Sequence, residues 1–457
     1  MKTMNGLSGK LAIVAMLAIS FSAMAQQQEM QFFRSHNFNG LNVFETTKND
    51  TTPFKKMHVQ IGGDFEQSYQ ALRDQNTATA VTGTVGGVKG NLTNLIPLAN
   101  GFNLAMANLN IDAQLYDGVR LDLTLYLSAR HHEETWVKGG YIQFDKLTFL
   151  HSPVIDDLMK SFTIKVGQFD VDYGDQHYQR SDGGSAIYNP FMDNYIMDEF
   201  ATEVGGELIY HHKSGLFAMG GVTNGMLNQT VIAPTKIDSE TKATNVYDPA
   251  FHGKIGYDKQ LTKDFRLRLS GSFYTCASGT SLTLFGGDRT GSAYYSVMSN
   301  QTTASGTTLS NANDYNPFSG RFNPGFSEQL TSYMGNLFLQ YKGLQFFGTY
   351  ETADGRGISE KSTRNASQYA ADLIYRFALG EENFWIGARY NSVTANLPGV
   401  TQSVTINRTV GSAGWFVTKN VMLKGEYVVQ NYENYASTNI LNGGKFDGWM
   451  VQAVVGF

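Results

Sequence analysis

Residues 119–130 read Val-Arg-Leu-Asp-Leu-Thr-Leu-Tyr-Leu-Ser-Ala-Arg. Every second residue from Val119 to Leu127 is apolar, and the residues between them, from Arg120 to Ser128, are mostly polar. Successive side chains of a β-strand point to opposite faces, so this stretch predicts a strand with one apolar and one polar face. Residues 107–115 and 264–274 repeat the pattern.

The end of the chain separates a membrane barrel from a soluble sandwich, which would alternate in the same way. Trp449, Val451, Ala453, Val455 and Phe457 fall on one face, and Phe457 is the last residue. A strand that runs to a terminal aromatic resembles the signal that outer-membrane barrels present to their assembly machinery. We therefore expect a barrel whose apolar face meets lipid.

The pattern continues from residue 57 to residue 457 without a linker, which favours one domain. The predicted strands are 57–69, 102–115, 119–129, 136–147, 161–169, 201–213, 215–224, 250–258, 264–274, 329–341, 343–352, 366–377, 384–394, 404–417, 420–430 and 445–457. Tight turns alternate with long loops, as in single-chain bacterial barrels with an even number of strands. The sequence thus predicts an all-β, transmembrane antiparallel barrel of 16 strands.

Two connections depart from this alternation. The connection at 130–135 is short for an external loop, and the one at 148–160 is long for a periplasmic turn. Ser152-Pro153 followed by Asp156 and Asp157 has the residues of a helix cap and first turn, so we expect a short helix there.

Residues 1–25 have the pattern of an export signal. Lys2 and Lys10 both precede a short apolar run at 11–19. Cleavage after the small-x-small site at 23–25 would leave Gln26 as the first mature residue. A retained signal anchor is the alternative. Residues 26–56 form an extension before the first strand, either disordered or folded into the lumen.

Composition narrows the function classes. Cys276 is the single cysteine, so no internal disulfide framework is possible. Loss of the signal removes two lysines and no acids, which moves the formal charge from −5 to −7 and argues against nucleic acid as a partner. No P-loop, dinucleotide fingerprint, zinc spacing or nucleophile elbow is present, so we expect neither an enzyme nor a cofactor.

The middle of the chain, over about 125 residues, resembles the phosphate-selective porin superfamily of Gram-negative bacteria. The resemblance rests on an ordered run that begins with the alternating strand 102–115 and the turn Asp117-Gly118. The run continues through residues 140–144 (Gly-Tyr-Ile-Gln-Phe), 162–169 (Phe-Thr-Ile-Lys-Val-Gly-Gln-Phe), 203–207 (Glu-Val-Gly-Gly-Glu) and 220–225 (Gly-Gly-Val-Thr-Asn-Gly). The resemblance implies a homotrimeric 16-stranded diffusion channel in the outer membrane. A loop between strands 5 and 6 would fold into its pore.

That loop, 170–200, departs from the family, whose phosphate channels are lined by arginine and lysine. It carries seven acids and a single arginine, which would repel an oxyanion in a narrow constriction. We therefore expect a channel that is not phosphate-selective. The predicted loop residues are Asp170, Asp172, Asp175, Arg180, Asp182 and Asp193, and the predicted pore-wall residues are Arg120, Arg266, Arg268 and Arg389. Loop acids opposed by wall arginines would set up a transverse field, or these charges would only hold the loop in place.

Other readings stay open. Asp170, Asp172 and Asp175 only partly match a calcium loop, and the adjacent histidines at 131–132 and 211–212 point to opposite faces of a strand, so no metal is predicted. The long loop 275–328 keeps a plugged adhesin or surface receptor possible, and a lipid transporter would need an apolar lumen. The expected surroundings are outer-membrane lipid, lipopolysaccharide and small solutes.

Overall fold

The computed structural model describes residues 29–85, 88–128, 135–227, 231, 248–286, 293–301, 319–379 and 382–457. The predicted signal at 1–25, the connection at 130–134 and much of loops 225–249 and 275–328 lie outside this part of the chain. Within the described ranges, no helix is long and apolar enough to span a bilayer.

The fold is one closed antiparallel sheet. Its sixteen long strands are β1 (His58–Gln75), β2 (Met106–Tyr116), β3 (Val119–Ser128), β4 (Thr135–Phe144), β5 (Phe162–Asp170), β6 (Thr202–His211), β7 (Leu216–Thr223), β8 (Ala250–Gln260), β9 (Phe265–Cys276), β10 (Gln329–Tyr341), β11 (Leu344–Arg356), β12 (Arg364–Leu379), β13 (Glu382–Asn396), β14 (Ser403–Thr418), β15 (Val421–Glu433) and β16 (Lys445–Gly456). Gly101–Phe102 adds a short extension of the sheet beside β1, and Thr82–Val85 with Val88–Asn91 forms a separate hairpin.

Closure is made by the first and last strands. β1 and β16 pair from Asp64 with Gly456 to Gln75 with Lys445. Phe457 continues this seam, because its backbone exchanges hydrogen bonds with Gly63 of 3.0 and 3.1 Å. The predicted 16-stranded antiparallel barrel is confirmed, and each predicted strand overlaps one observed strand.

The two faces of the sheet have opposite exposure. On β9, Leu269 is 55% exposed while its neighbour Arg268 is 1% exposed, and on β8 Ile255 is 69% exposed beside Lys254 at 1%. Apolar side chains therefore face outward and charged ones inward. A charge on the lipid side of a membrane barrel would cost roughly 2–4 kcal/mol at the midplane, which explains why the charged side chains face inward.

Exposed and partly exposed aromatic residues form two bands on the outer surface. Tyr333, Tyr350, Tyr369 and Tyr390 lie toward one end of β10–β13. Tyr375, Phe377, Phe384 and Trp415 lie toward the other end, with successive ring centroids 5.7–6.1 Å apart. On β12 the bands are six residues apart, or about 20 Å along the strand. Such paired aromatic bands are typical of the two interfaces of a bilayer.

Short turns join the strands at one end, which we call the short-turn end, and long loops join them at the other. The exception is the connection after β4, which contains the 3-10 turn Thr148–Leu150 and helix α1 (Pro153–Met159). The expected helix is present and Pro153 lies in its first turn, as predicted. However, the side chain of Ser152 makes no capping hydrogen bond, and only its carbonyl accepts from Asp156.

Candidate functional site

The connection from β5 to β6, residues 171–201, which we call the lumen loop, folds into the barrel. Near its start the Tyr173 hydroxyl donates to Glu351 of β11 at 2.9 Å. At its far side the Lys424 ammonium of β15 donates to the carbonyls of Asn189 and Phe191 at 2.9 and 2.7 Å. The loop thus reaches wall strands remote from those that carry it.

Two glycines permit this path, as their turn-forming character predicts. Gly183 has φ +62°, in the left-handed region that favours glycine. A Cβ on Gly184 would lie 2.5 Å from the Asp64 carbonyl oxygen and 2.7 Å from the Ala107 Cα atom. The loop backbone therefore lies directly against β1 and β2, which a larger residue would prevent.

The connection from β9 to β10 also enters the lumen in the parts that are described, 277–286, 293–301 and 319–328. The Tyr294 hydroxyl donates to Glu426 of β15 at 2.6 Å. The Phe322 amide donates to the carbonyl of Ile196 in the lumen loop at 2.6 Å. Arg408 of β14 holds both connections, donating to the carbonyls of Asn194 and Gly320 at 2.7 Å.

Residues 29–56, which we call the N-terminal segment, lie across the short-turn end of the lumen. The Lys48 ammonium donates to the carbonyls of Asp145 and Phe162, beside the α1 connection. The Phe38 amide donates to the Lys419 carbonyl in the β14–β15 turn at 2.8 Å. Arg266 of β9 donates to the Asn42 carbonyl at 2.9 Å. These contacts fall on three separate parts of the barrel wall, so the segment crosses the opening.

A polar cavity of about 250 Å³ remains between these layers and the wall formed by β1–β6. Its lining includes Asp170, Asp172, Arg180 and Asp182 among the predicted loop residues, and Arg120 among the predicted wall residues. The other charged groups of the lining come from the wall and from the N-terminal segment: Asp64, Asp122, Lys138, Lys165 and Glu207 of the wall, and Arg34, His36 and Glu45 of the segment. The cavity joins acids and bases from three separate parts of the chain.

The other predicted site residues lie in ion pairs away from this cavity. Arg268 holds Asp175 of the lumen loop at 2.7 Å and Glu45 at 2.6 Å. Arg266 pairs with Asp258 at 2.7 Å. Arg389 binds Asp372 through two bonds of 2.7 and 2.8 Å and donates to the carbonyl of Asp193, whose carboxylate meets Arg408 at 3.1 Å. Arg268, Arg389 and Arg408 thus hold the lumen loop against the wall, and Arg268 also holds the N-terminal segment through Glu45. The Arg266–Asp258 and Arg389–Asp372 pairs join neighbouring wall strands.

Charges in the lumen are largely compensated. Burial tends to raise the pKa of Asp175, but Arg268 and Lys254 outweigh burial and hold it below its usual range. At the cavity, Arg120 contacts Asp112 and Asp122 at 3.1 and 3.3 Å. Lys138 pairs with Asp182, and Lys165 lies 3.4 Å from Glu207. Asp175 therefore stays ionised beside its basic partners, and Arg120, Lys138 and Lys165 each have an acidic neighbour at the cavity.

Several charged cavity residues were not among the predicted site residues, Lys138, Arg34 and His36 among them. Lys138 lies on β4, where Tyr141 and Gln143 face inward, so strict alternation would turn it outward. An irregularity in the pairing of β3 with β4 between Thr124 and Leu125 brings it into the lumen, and the pattern held no signal for it. Arg34 and His36 belong to a segment without alternation, and no local signal places them in the lumen. Among the described residues, no group of three His, Cys, Asp or Glu side chains is arranged to hold a metal ion.

Docking of the N-terminal segment is expected to weaken as pH rises. The His36 imidazole lies 3.2 Å from Asp112 and 4.0 Å from Asp64. Burial lowers its pKa, but the Asp112 hydrogen bond and the charges of Asp64, Asp112 and Asp122 raise it more, so the net pKa is above 6.5. A pKa raised by docking gives stabilisation that is complete below 6.5 and lost as pH rises through the raised value.

Limited proteolysis of the N-terminal segment across neutral and alkaline pH measures this effect. The His36→Gln variant is the control for the protease's own pH dependence. We expect the difference in cleavage rate between the two proteins to shrink as pH rises. A difference that stays constant with pH would show that His36 does not hold the segment by its charge.

No protein-family model matches the sequence, and comparison with curated proteins finds no relative. Among solved structures, the anion-selective porin from Comamonas acidovorans is similar with a TM-score of 0.50 and 9% identity, over 88% of this chain and 100% of that chain. OmpT of Vibrio cholerae in its trimer form has a TM-score of 0.47 at 9% identity, over 88% and 100%. The outer membrane channel DcaP of Acinetobacter baumannii has 0.44 at 10% identity, over 88% and 98%. The first likeness shows a porin-like fold, and at such identity it shows the fold alone.

Proposed function

We propose that this chain is an outer-membrane channel for the passive diffusion of small hydrophilic solutes. The observation that carries the proposal is the charged cavity between the lumen loop and β1–β6, inside a barrel whose outer face is apolar. A closed barrel satisfies its backbone hydrogen bonds within lipid, and its inward charges keep the interior wet. Residues 1–25 would act as the export signal that precedes the extension 26–56 and the barrel 57–457.

The cavity sets the size class of the solute. Its volume of about 250 Å³ lies at the lower limit of small-molecule pockets, about 300–1,000 Å³. A cavity of this volume would hold a small solute and exclude an oligosaccharide. Its charges alternate in sign, because Arg120, Lys138 and Lys165 each have an acidic neighbour. This pattern supports weak charge selectivity and no selectivity for phosphate.

A homotrimer in contact with outer-membrane lipid and lipopolysaccharide is part of the proposal. It follows from the resemblance in residues 117–225 and from the apolar exterior, on which Ile255 and Leu269 are more than half exposed. Single-channel recording tests the channel and the trimer together. Small conductance steps that close in groups of three would support both, and steps that occur singly would support a monomeric channel.

A plugged barrel that acts as an adhesin or surface receptor is the second candidate. It is favoured by the three segments that fill the lumen. They cover the inner wall so closely that its side chains Lys254, Arg268 and Glu426 are each only 1% exposed. Absence of any ion current from correctly folded protein would favour this candidate over the channel. A lipid transporter fits less well, because these inward side chains are charged.

Ion selectivity is expected to respond to Asp170 of the cavity. Its carboxylate accepts a hydrogen bond from Thr202 at 3.1 Å and has no basic partner within ion-pairing distance among the described residues. The Asp170→Asn variant removes one negative charge from the path, so the reversal potential in a salt gradient should shift toward anion preference. Asp157→Asn on α1, where the side chain is 78% exposed, is the matched control. Equal reversal potentials in all three proteins would place the ion path elsewhere.

A further inference from the structure

Arg34 differs from the other arginines of the cavity, because it has no carboxylate partner. Its Nε and one terminal nitrogen donate to the carbonyls of Gly40 and Tyr178 at 3.1 and 2.7 Å. The guanidinium lies over the Tyr188 ring, 4.0 Å from its centroid. Among the described residues, no acid forms an ion pair with Arg34. Its charge is therefore held rigidly beside the cavity without a carboxylate in direct contact.

A guanidinium offers five N–H donors in a planar fork that matches a carboxylate. Two of the Arg34 nitrogens already donate to main-chain carbonyls, which fixes the fork without neutralising it. Stacking on a tyrosine further restricts the rotation of the group. Such a group is preorganised for an anion that arrives from the cavity, because little freedom remains to be lost on binding.

Asp64 supplies a negative group in the same cavity, with the His36 imidazole 4.0 Å from its Oδ2. Its side chain is 2% exposed, and its Oδ2 accepts from Asn110 at 2.8 Å. Its Oδ1 is buried without a hydrogen-bond partner among the described residues. A buried ionised oxygen without a partner is costly, so this position favours a donor supplied by a solute or by water.

We propose that this cavity binds a small zwitterion of the α-amino-acid type, with its carboxylate on Arg34 and its ammonium on Asp64. The proposal rests on the channel proposed above and names its substrate class. Arg120, Lys138 and Lys165 recognise no solute in this scheme, because each already has an acidic neighbour. The N-terminal segment then supplies a recognition residue in addition to narrowing the opening.

Equilibrium dialysis of the purified full-length chain tests the proposal with three probes. L-serine carries both charges, acetate carries only the carboxylate, and methylammonium carries only the cation. We expect serine to bind tighter than either fragment. Arg34→Gln should weaken the binding of serine and acetate by roughly tenfold, the loss expected for a charge-assisted hydrogen-bonded pair. Asp64→Asn should weaken serine and leave acetate unchanged.

Two further variants keep the test decisive. Arg73→Gln removes an arginine whose side chain is 81% exposed outside the cavity, and it should bind serine as the unchanged chain does. Arg34→Lys keeps the charge without the fork, so it should bind serine with intermediate affinity while the N-terminal segment stays protected from protease. Serine bound no tighter than acetate, or bound equally by Arg34→Gln, would overturn the proposal. Inorganic phosphate that binds tighter than serine would overturn it as well.

Conductance separates this proposal from the proposed function. An ion current without serine binding would overturn the zwitterion site and leave the channel intact. Serine binding without any current would support the site and replace the channel with a receptor that senses the solute.

Discussion

Deletion of residues 29–50 is expected to increase single-channel conductance several-fold. These residues cross the short-turn end of the lumen and contact the wall at Lys419, Arg266 and Phe162. They form no part of the sixteen-stranded sheet, whose first strand begins at His58. The barrel should therefore still close, and the larger opening should admit more ions per unit time. Recording of the deleted and full-length proteins in the same planar bilayer measures the effect.

The control deletion removes the hairpin at residues 82–91, which pairs with itself outside the main sheet. That protein should conduct as the full chain does. Equal conductance of the full chain and the 29–50 deletion would mean that the lumen loop alone limits the current, and the N-terminal segment would then have no gating role.

Replacement of Arg408 by methionine is expected to lower the free energy of unfolding by about 3–5 kcal/mol, the cost of leaving a buried charge without its partner. Arg408 is 1% exposed and pairs with the buried Asp193 carboxylate at 3.1 Å. It also donates to the carbonyls of Asn194 and Gly320, so one side chain holds two connections inside the lumen. Its loss removes the arginine from the buried Asp193 carboxylate and from both carbonyls, of which Gly320 keeps a hydrogen bond from Gln430 at 2.9 Å.

Guanidinium unfolding in lipid vesicles, followed by tryptophan fluorescence, measures this change. Arg73→Met is the matched control, because Arg73 also pairs with an aspartate, Asp447, but its side chain is 81% exposed. An exposed ion pair is screened by water and salt, so this variant should unfold close to the unchanged chain. If both variants unfold alike, the Arg408 contacts do not stabilise the loops.

The fold could be predicted from sequence because lipid and lumen impose opposite demands on neighbouring residues. On β9 the exposed Leu269 follows the buried Arg268, and the same alternation of outward and inward side chains recurs around the sheet. Strand ends were less predictable. β1 extends to Gln75, beyond the predicted end at residue 69, because its partner β16 continues to pair with it there. The residues of β1 alone do not show how far its partner strand extends.

The site was only partly predictable for a related reason. The acidic character of the lumen loop pointed to the lumen, and four of its six predicted residues line the cavity. The sequence did not reveal that Asp175 and Asp193 would meet Arg268 and Arg408, because each pair joins residues far apart in the chain. Arg34 gave no local signal either, since its place depends on Tyr178 and Tyr188.

The closing seam also dictates an order of events during biogenesis. The first strand pairs with the last, so the cylinder cannot form until the ribosome has released Phe457. The N-terminal segment is synthesised first, yet Phe38 bonds to Lys419, which is made almost at the end. That contact must wait for a finished cylinder. Residues 29–56 would therefore remain unsheltered until the barrel closes, and a chaperone or a protease could reach them until then.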